Sequence, residues 1–106
     1  MKVASLRSPL VRRTIEAING GRLDDFMALF APAATVVDGP TYRGAEAIRA
    51  WAQRETFGVQ MHVTVVKQNV AGTTVEVEAT SKGGYSGPGT FHFTSRRGRI
   101  ERLEIR

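Results

Sequence analysis

Asp38, His62 and Tyr42 carry the side chains best suited to moving a proton on a small substrate. Asp38 ends the run Thr35-Val36-Val37-Asp38, just before Gly39-Pro40, where a carboxylate can serve as a general base. The same residue type at the same place also caps a turn through its side chain, so both roles stay open. His62 is the candidate acid/base partner, because histidine as a side-chain type titrates near neutral pH. Tyr42 and Tyr85 can each donate a hydrogen bond to a ligand oxygen. His92 alternates with Phe91 and Phe93, which turns it toward the opposite face from theirs. Two histidines with neither HxxxH nor HxH spacing supply no metal site. Cys is absent, which excludes disulfides, thiolate metal centres and cysteine nucleophiles. The glycine-rich run 83–89 lies between strand-patterned segments rather than before a helix, so it is a strand connection and not a phosphate cradle. No cofactor is expected.

The elements that position these groups are legible in the spacing of apolar residues. Ser8-Pro9 is a helix start, with Ser as N-cap and Pro in the first helical position. Val11, Thr14, Ile15 and Ile18 follow at helical spacing until Gly20-Gly21. Leu23, Phe26, Met27 and Phe30 predict a second helix that Pro32 stops, with Asp24 and Asp25 favoured in its first turn. Residues 35–38 and 41–43 predict short strands around the Gly39-Pro40 turn. Ala45 to about Glu55 predicts a third helix, with Ile48, Trp51 and Ala52 inward and Gly58 at its end. From Val59 the period changes to two. Strands are predicted over 59–70, 73–82, 91–95 and 100–105, with turns at Ala71-Gly72 and around Gly98. Helices first and antiparallel strands afterwards predict an α+β fold: three helices packed on one face of a curved, mostly antiparallel sheet.

A two-residue turn at Ala71-Gly72 would pair Gln68 with Val75 and Lys67 with Glu76. That register places His62, Thr64 and Val66 with Val75, Val77 and Ala79 on the helix-covered face, and Lys67, Val65, Glu76 and Glu78 outside. The Gly98 turn likewise groups Phe91, Phe93, Leu103 and Ile105. A one-residue slip would reverse either assignment. The expected lining of an interior pocket is therefore Thr14, Ile18, Phe26, Phe30, Trp51, Val66, Val77, Phe91 and Phe93, the same side chains that would otherwise form ordinary core.

Length and charge limit the alternatives. With 106 residues the chain is read as one domain, large enough for a core of its own. At 42% hydrophobic and 24% charged it has the balance of a folded, soluble protein. No apolar run approaches the length of a membrane span and the first residues lack a signal-peptide core, so the cytoplasm is the expected compartment. The net charge is +5, and residues 96–106 hold five arginines against two glutamates, contributing +3 of it. No aromatic residues alternate with those arginines to stack bases, so the segment reads as a solvated hairpin and nucleic acid is not an expected partner.

The run from Asn19 to Pro32, Asn-Gly-Gly-Arg-Leu-Asp-Asp-Phe-Met-Ala-Leu-Phe-Ala-Pro, is followed by Ala34-Thr35-Val36-Val37-Asp38. It resembles the SnoaL-like and ketosteroid-isomerase-like families of the nuclear transport factor 2-like superfamily. Tyr42-Arg43-Gly44-Ala45-Glu46-Ala47-Ile48-Arg49-Ala50-Trp51 is similar to that superfamily's third-helix signature. The resemblance implies a cone-shaped fold with an apolar interior, a small hydrophobic ligand, and a homodimer formed through the outer sheet face. It implies acid–base chemistry of the isomerase, dehydratase, cyclase or hydrolase kind in the catalytic members, and none in others. By that resemblance Asp38 stands at the position of the proton-transferring carboxylate. Thr14 and Gly89 or Thr90 stand where ketosteroid isomerases carry their two oxyanion donors, so both donors are missing, which argues against steroid isomerisation.

Overall fold

Ser8 accepts a hydrogen bond from the Val11 amide at 3.2 Å and Pro9 occupies the first turn, and together they start helix α1 (Pro9–Asn19). Its buried face is Val11, Thr14, Ile15, Ala17 and Ile18. A computed structural model describes all 106 residues of the chain. Helix α2 (Leu23–Ala28) carries Asp24 and Asp25 in its first turn and buries Phe26. Strand β1 (Phe30–Val37), a Gly39-Pro40 turn and strand β2 (Thr41–Arg43) lead into helix α3 (Gly44–Ala52). Strands β3 (His62–Gln68), β4 (Thr74–Thr80), β5 (Gly87–Arg96) and β6 (Arg99–Ile105) complete the order. A short 3-10 turn (Val3–Ser5) precedes α1.

The six strands form one sheet in the order β2-β1-β6-β5-β4-β3, antiparallel except for the parallel β1–β6 pair. The fold class is thus the predicted α+β arrangement, with three helices on one face of a mostly antiparallel sheet. Between them lies a core of 20 apolar residues, including Ile15, Phe26, Ile48, Trp51, Val65, Val75, Phe91 and Leu103. No helix is long and apolar enough to cross a membrane.

Four local expectations are corrected. The second helix ends at Ala28, and Phe30 opens β1 instead, because Leu29 and Phe30 align with β6: the Ile100 amide donates to the Leu29 carbonyl at 2.8 Å. Pro32 sits within that strand, where the β1–β6 register shifts between Phe30 and Thr35 and the ladder demands no proline N–H. The third helix runs on through a π-turn (Gln53–Phe57). Gly87–Gly89 belongs to β5, paired with Val77–Ala79, rather than to a loop.

The fourth correction concerns register. Gln68 pairs with Val75 and Lys67 with Glu76, as the turn requires, but Val66 is then an unpaired bulge residue and Val65 pairs with Val77. Beyond the bulge the strand's faces are exchanged. Val63 and Val65 are buried, while His62, Thr64 and Val66 are exposed. The other hairpin turns tightly at Arg97-Gly98, where both residues have positive φ (54° and 76°). Its bulge falls between Thr94 and Ser95, and Phe91 and Phe93 still pair with Ile105 and Leu103 on the inner face.

Candidate functional site

The helices and the concave sheet enclose a cavity of about 320 Å³, within the range of small-molecule sites. Ile18 of α1, Phe26 of α2, Trp51 of α3 and Val77, Ala79, Phe91, Leu103 and Ile105 of the sheet give it an apolar wall. Asp38 interrupts that wall. It follows β1 directly, and the Gly39-Pro40 turn folds back so that the Asp38 amide donates to the Pro40 carbonyl at 2.9 Å. The turn is therefore closed by backbone, and the side chain is spared for the interior.

There the half-buried carboxylate accepts a hydrogen bond from the Trp51 indole Nε1 at 2.9 Å through Oδ2. Oδ1 takes no hydrogen bond from the protein, and no side chain donates to the carboxylate other than Trp51. Trp51 is itself fixed by its neighbours: its ring lies 6.4 Å from Phe26 and 6.2 Å from Tyr42, centroid to centroid. A carboxylate with one oxygen oriented by a rigid donor and the other open to an apolar space can accept a proton from a molecule held there.

The other anticipated residues divide clearly. Ile18, Phe26, Trp51, Val77 and Phe91 line the cavity together with Asp38. His62 does not, because the Val66 bulge turns it to the exposed face. Val66 is out for the same reason, 57% exposed. Tyr42 packs against the far side of Trp51, where its hydroxyl accepts from Arg54 Nη2 at 3.2 Å. Thr14 is wholly buried and donates to the Leu10 carbonyl at 2.8 Å, so its hydroxyl is spent within α1. Phe30 and Phe93 are core: Phe30 packs tilted against Phe26 at 5.0 Å and Phe93 meets Phe91 edge-on at 6.3 Å. His92 lies on the outer face with Thr74 Oγ1 3.0 Å from its Nδ1.

Several wall residues were not singled out from the sequence as pocket lining: Glu55, Thr56 and Met61 beyond α3, and Pro88 and Arg106 at the sheet's end. Tyr85 reaches the same rim, its hydroxyl donating to the Pro88 carbonyl. Thr56 falls between the predicted third helix, which ends near Glu55, and the strand pattern that starts at Val59, so a search by hydrophobic spacing passes over it. Arg106 is held by Glu104, whose Oε2 accepts from Nη2 at 2.9 Å. That hydrogen bond is the main cause holding the Glu104 carboxyl below the usual glutamate range, with the charges of Arg106, Arg102 and His92 adding to it against partial desolvation. No cluster of three or more His, Cys, Asp or Glu residues could hold a metal ion.

A mostly antiparallel sheet covered by three helices around an apolar interior is the nuclear transport factor 2-like fold. Residues 11–103 match the SnoaL-like domain, and the chain belongs to that family. The chain matches no curated protein. Among solved structures it is similar to SMa1630 from Sinorhizobium meliloti, a candidate polyketide cyclase, at TM-score 0.83 and 26% identity over 100% of both chains. A candidate ketosteroid isomerase from Kribbella flavida aligns at TM-score 0.78 and 19% identity, covering 92% of this chain and 74% of that one. RV0760c from Mycobacterium tuberculosis, in complex with estradiol-17beta-hemisuccinate, aligns at 0.71 and 16%, covering 91% and 88%. The last two likenesses are of fold.

Proposed function

We propose that the cavity binds a small, largely apolar, oxygen-bearing molecule and that Asp38 acts on it as a general base. The observation that carries this reading is the Asp38 carboxylate set in an apolar wall, with one oxygen fixed by Trp51 and the other unpartnered. The proton-transfer step takes a hydrogen from a carbon beside the ligand's carbonyl onto Asp38 Oδ1. The C–H electron pair moves into the carbon framework and the negative charge onto the carbonyl oxygen. Returning the proton to a second carbon makes an isomerase; loss of a leaving group makes a dehydratase; attack on a second carbonyl makes a cyclase. His62 and Tyr42 do not line the cavity, so Asp38 itself returns the proton. The names of the Sinorhizobium and Kribbella proteins and the steroid bound to RV0760c are in keeping with this class of ligand.

Deuterium exchange tests it. In heavy water the protein is expected to speed exchange of the α-hydrogens of 2-decalone, a bicyclic ketone, above the buffer rate. Asp38→Asn is expected to reduce that acceleration by about 10²–10⁴-fold, the usual contribution of a general base. Equal acceleration by the variant would exclude Asp38.

A second reading, a non-catalytic binding module of the same fold, is favoured by one observation. Thr14 spends its hydroxyl on Leu10, Gly89 offers no side chain, and Thr90 borders the outer depression rather than the cavity, so none of the three supplies an oxyanion donor. Under that reading 2-decalone binds without accelerated exchange. A homodimer through the outer sheet face belongs to both readings, with the exposed Val66 at its centre.

A further inference from the structure

Helix α3 widens at its end. The Gly58 amide reaches back five residues to the Gln53 carbonyl at 2.7 Å, so Gln53–Phe57 is a π-turn. Single π-turns within or at the end of α-helices recur at functional sites, because the extra residue redirects a side chain. Here the affected residue is Thr56, which lines the cavity and is only 4% exposed. Thr14, in regular helix, donates its hydroxyl to the carbonyl four residues back. Thr56 makes no such bond to Ala52, and its hydroxyl hydrogen-bonds to nothing in the protein. No fully enclosed side-chain oxygen or nitrogen in the protein lacks a partner, so this hydroxyl is reached from the cavity.

The other polar groups on the wall are already committed or of the wrong sign. Trp51 Nε1 donates to Asp38, the Tyr85 hydroxyl to Pro88, and the Arg106 guanidinium to Glu104 at the rim. Asp38 and Glu55 are carboxylates, which accept when ionised. Thr56 Oγ–H is the uncommitted neutral donor on the wall. A hydroxyl with no partner in the protein, set in a largely apolar wall, is free to donate to a ligand oxygen.

We propose that Thr56 is the specificity-determining residue of this cavity. Its hydroxyl donates to a neutral acceptor oxygen, a carbonyl in particular, on a ligand that is otherwise apolar. The inference rests on the cavity being the ligand site, and it supplies the oxygen-binding donor that Thr14 and Gly89 do not. Anionic ligands are disfavoured, because Asp38 and Glu55 share the wall and its one cation, Arg106, is already paired with Glu104.

The test uses the single Trp of the chain, Trp51, as a reporter within the cavity wall. Binding of 2-decalone and of decalin, the same ring system without the oxygen, is followed by Trp51 emission. The wild-type protein is expected to bind the ketone more tightly. Thr56→Val, which keeps the shape and removes the hydroxyl, is expected to weaken ketone binding about tenfold and leave decalin unchanged, as loss of one hydrogen bond would. Thr56→Ser is expected to restore the preference. A Thr56→Val protein that keeps the full ketone preference overturns the assignment of Thr56, and so does one that loses both probes equally while Thr56→Ser keeps both equally. Decalin binding would still stand for the cavity in the first case. If neither probe binds the wild-type protein, the cavity reading itself falls, and this inference with it.

Discussion

At the scale of the residue, the indole that holds Asp38 has two effects that can be separated. It orients a carboxylate that would otherwise turn toward water, and it satisfies its own N–H inside an apolar wall. Trp51→Phe keeps most of the ring packing and removes both effects. It is expected to cost about 1.5–3 kcal/mol in urea unfolding, the range for a hydrogen bond to a charged group. It should also slow α-hydrogen exchange of 2-decalone while leaving Asp38 in place. Glu104 gives a prediction with a pH sign. Its carboxyl is held below the ordinary value of 4.5, chiefly by Arg106. Its contribution to stability is therefore complete above that value and is lost as pH falls through the lowered one. Glu104→Gln is expected to show a smaller fall in melting temperature than the wild-type protein between pH 5 and about pH 3. Asp38 was visible in the sequence because its residue type, its place at a strand end and the Gly-Pro turn beside it all coincide. Thr56 was not, because threonine in a helical segment carries no signal until the π-turn separates its hydroxyl from the helix backbone.

At the scale of the element, one residue decided which face of β3 looks inward. Hydrophobic alternation in 59–70 fits two registers, and the turn at Ala71-Gly72 correctly fixes Gln68 and Lys67 against β4. A bulge adds one residue to one strand only, so the alternation on the two sides of Val66 is opposite in phase. Nothing in the residue types announces it, and His62 was misplaced as a consequence. The helices were more legible, since Ser8-Pro9 and Gly20-Gly21 are chemical punctuation rather than periodicity. The edge strand reveals a further constraint. Val63 turns its amide and carbonyl away from β4, and Asn19 at the end of α1 answers both. Asn19 Oδ1 accepts from the Val63 amide at 2.7 Å and Nδ2 donates to its carbonyl at 2.9 Å. The Asn side chain thus extends the ladder by one mimic of a peptide group and blunts the edge at that point. Asn19→Ala leaves two backbone groups of a buried residue without partners. It is expected to destabilise the fold by about 2–3 kcal/mol in denaturant unfolding and to raise hydrogen exchange at the Val63 amide.

At the scale of the whole molecule, the charge and the sheet's outer face point in different directions. The arginines at 96, 97 and 99 cluster at the Arg97-Gly98 hairpin, exposed and away from the cavity. The middle of the outer face is instead mixed in sign, with Glu76, Glu78 and Glu104 near Lys67, Arg102 and His92. Val66 stands among them, and with Glu76, Glu78, Thr90 and Arg106 it borders a shallow depression. A two-fold interface uses the same patch on both copies, and a mixed-charge patch around an exposed aliphatic residue lets an acid of one copy meet a base of the other. An exposed valine on a bulge is also a residue whose solvent exposure a second copy would remove. Val66→Asp places an unpaired charge at that centre while altering neither the inner face nor the bulge that exposes it. The wild-type protein is expected to sediment as a dimer and Val66→Asp as a monomer, with the dissociation constant raised by at least about a hundredfold, as burial of an unpaired charge requires. Binding of decalin, read by Trp51, should be the same in both, because the cavity lies on the other side of the sheet. A wild-type protein that sediments as a monomer at high concentration, or a Val66→Asp protein that remains a dimer, would remove the outer face as the dimer surface.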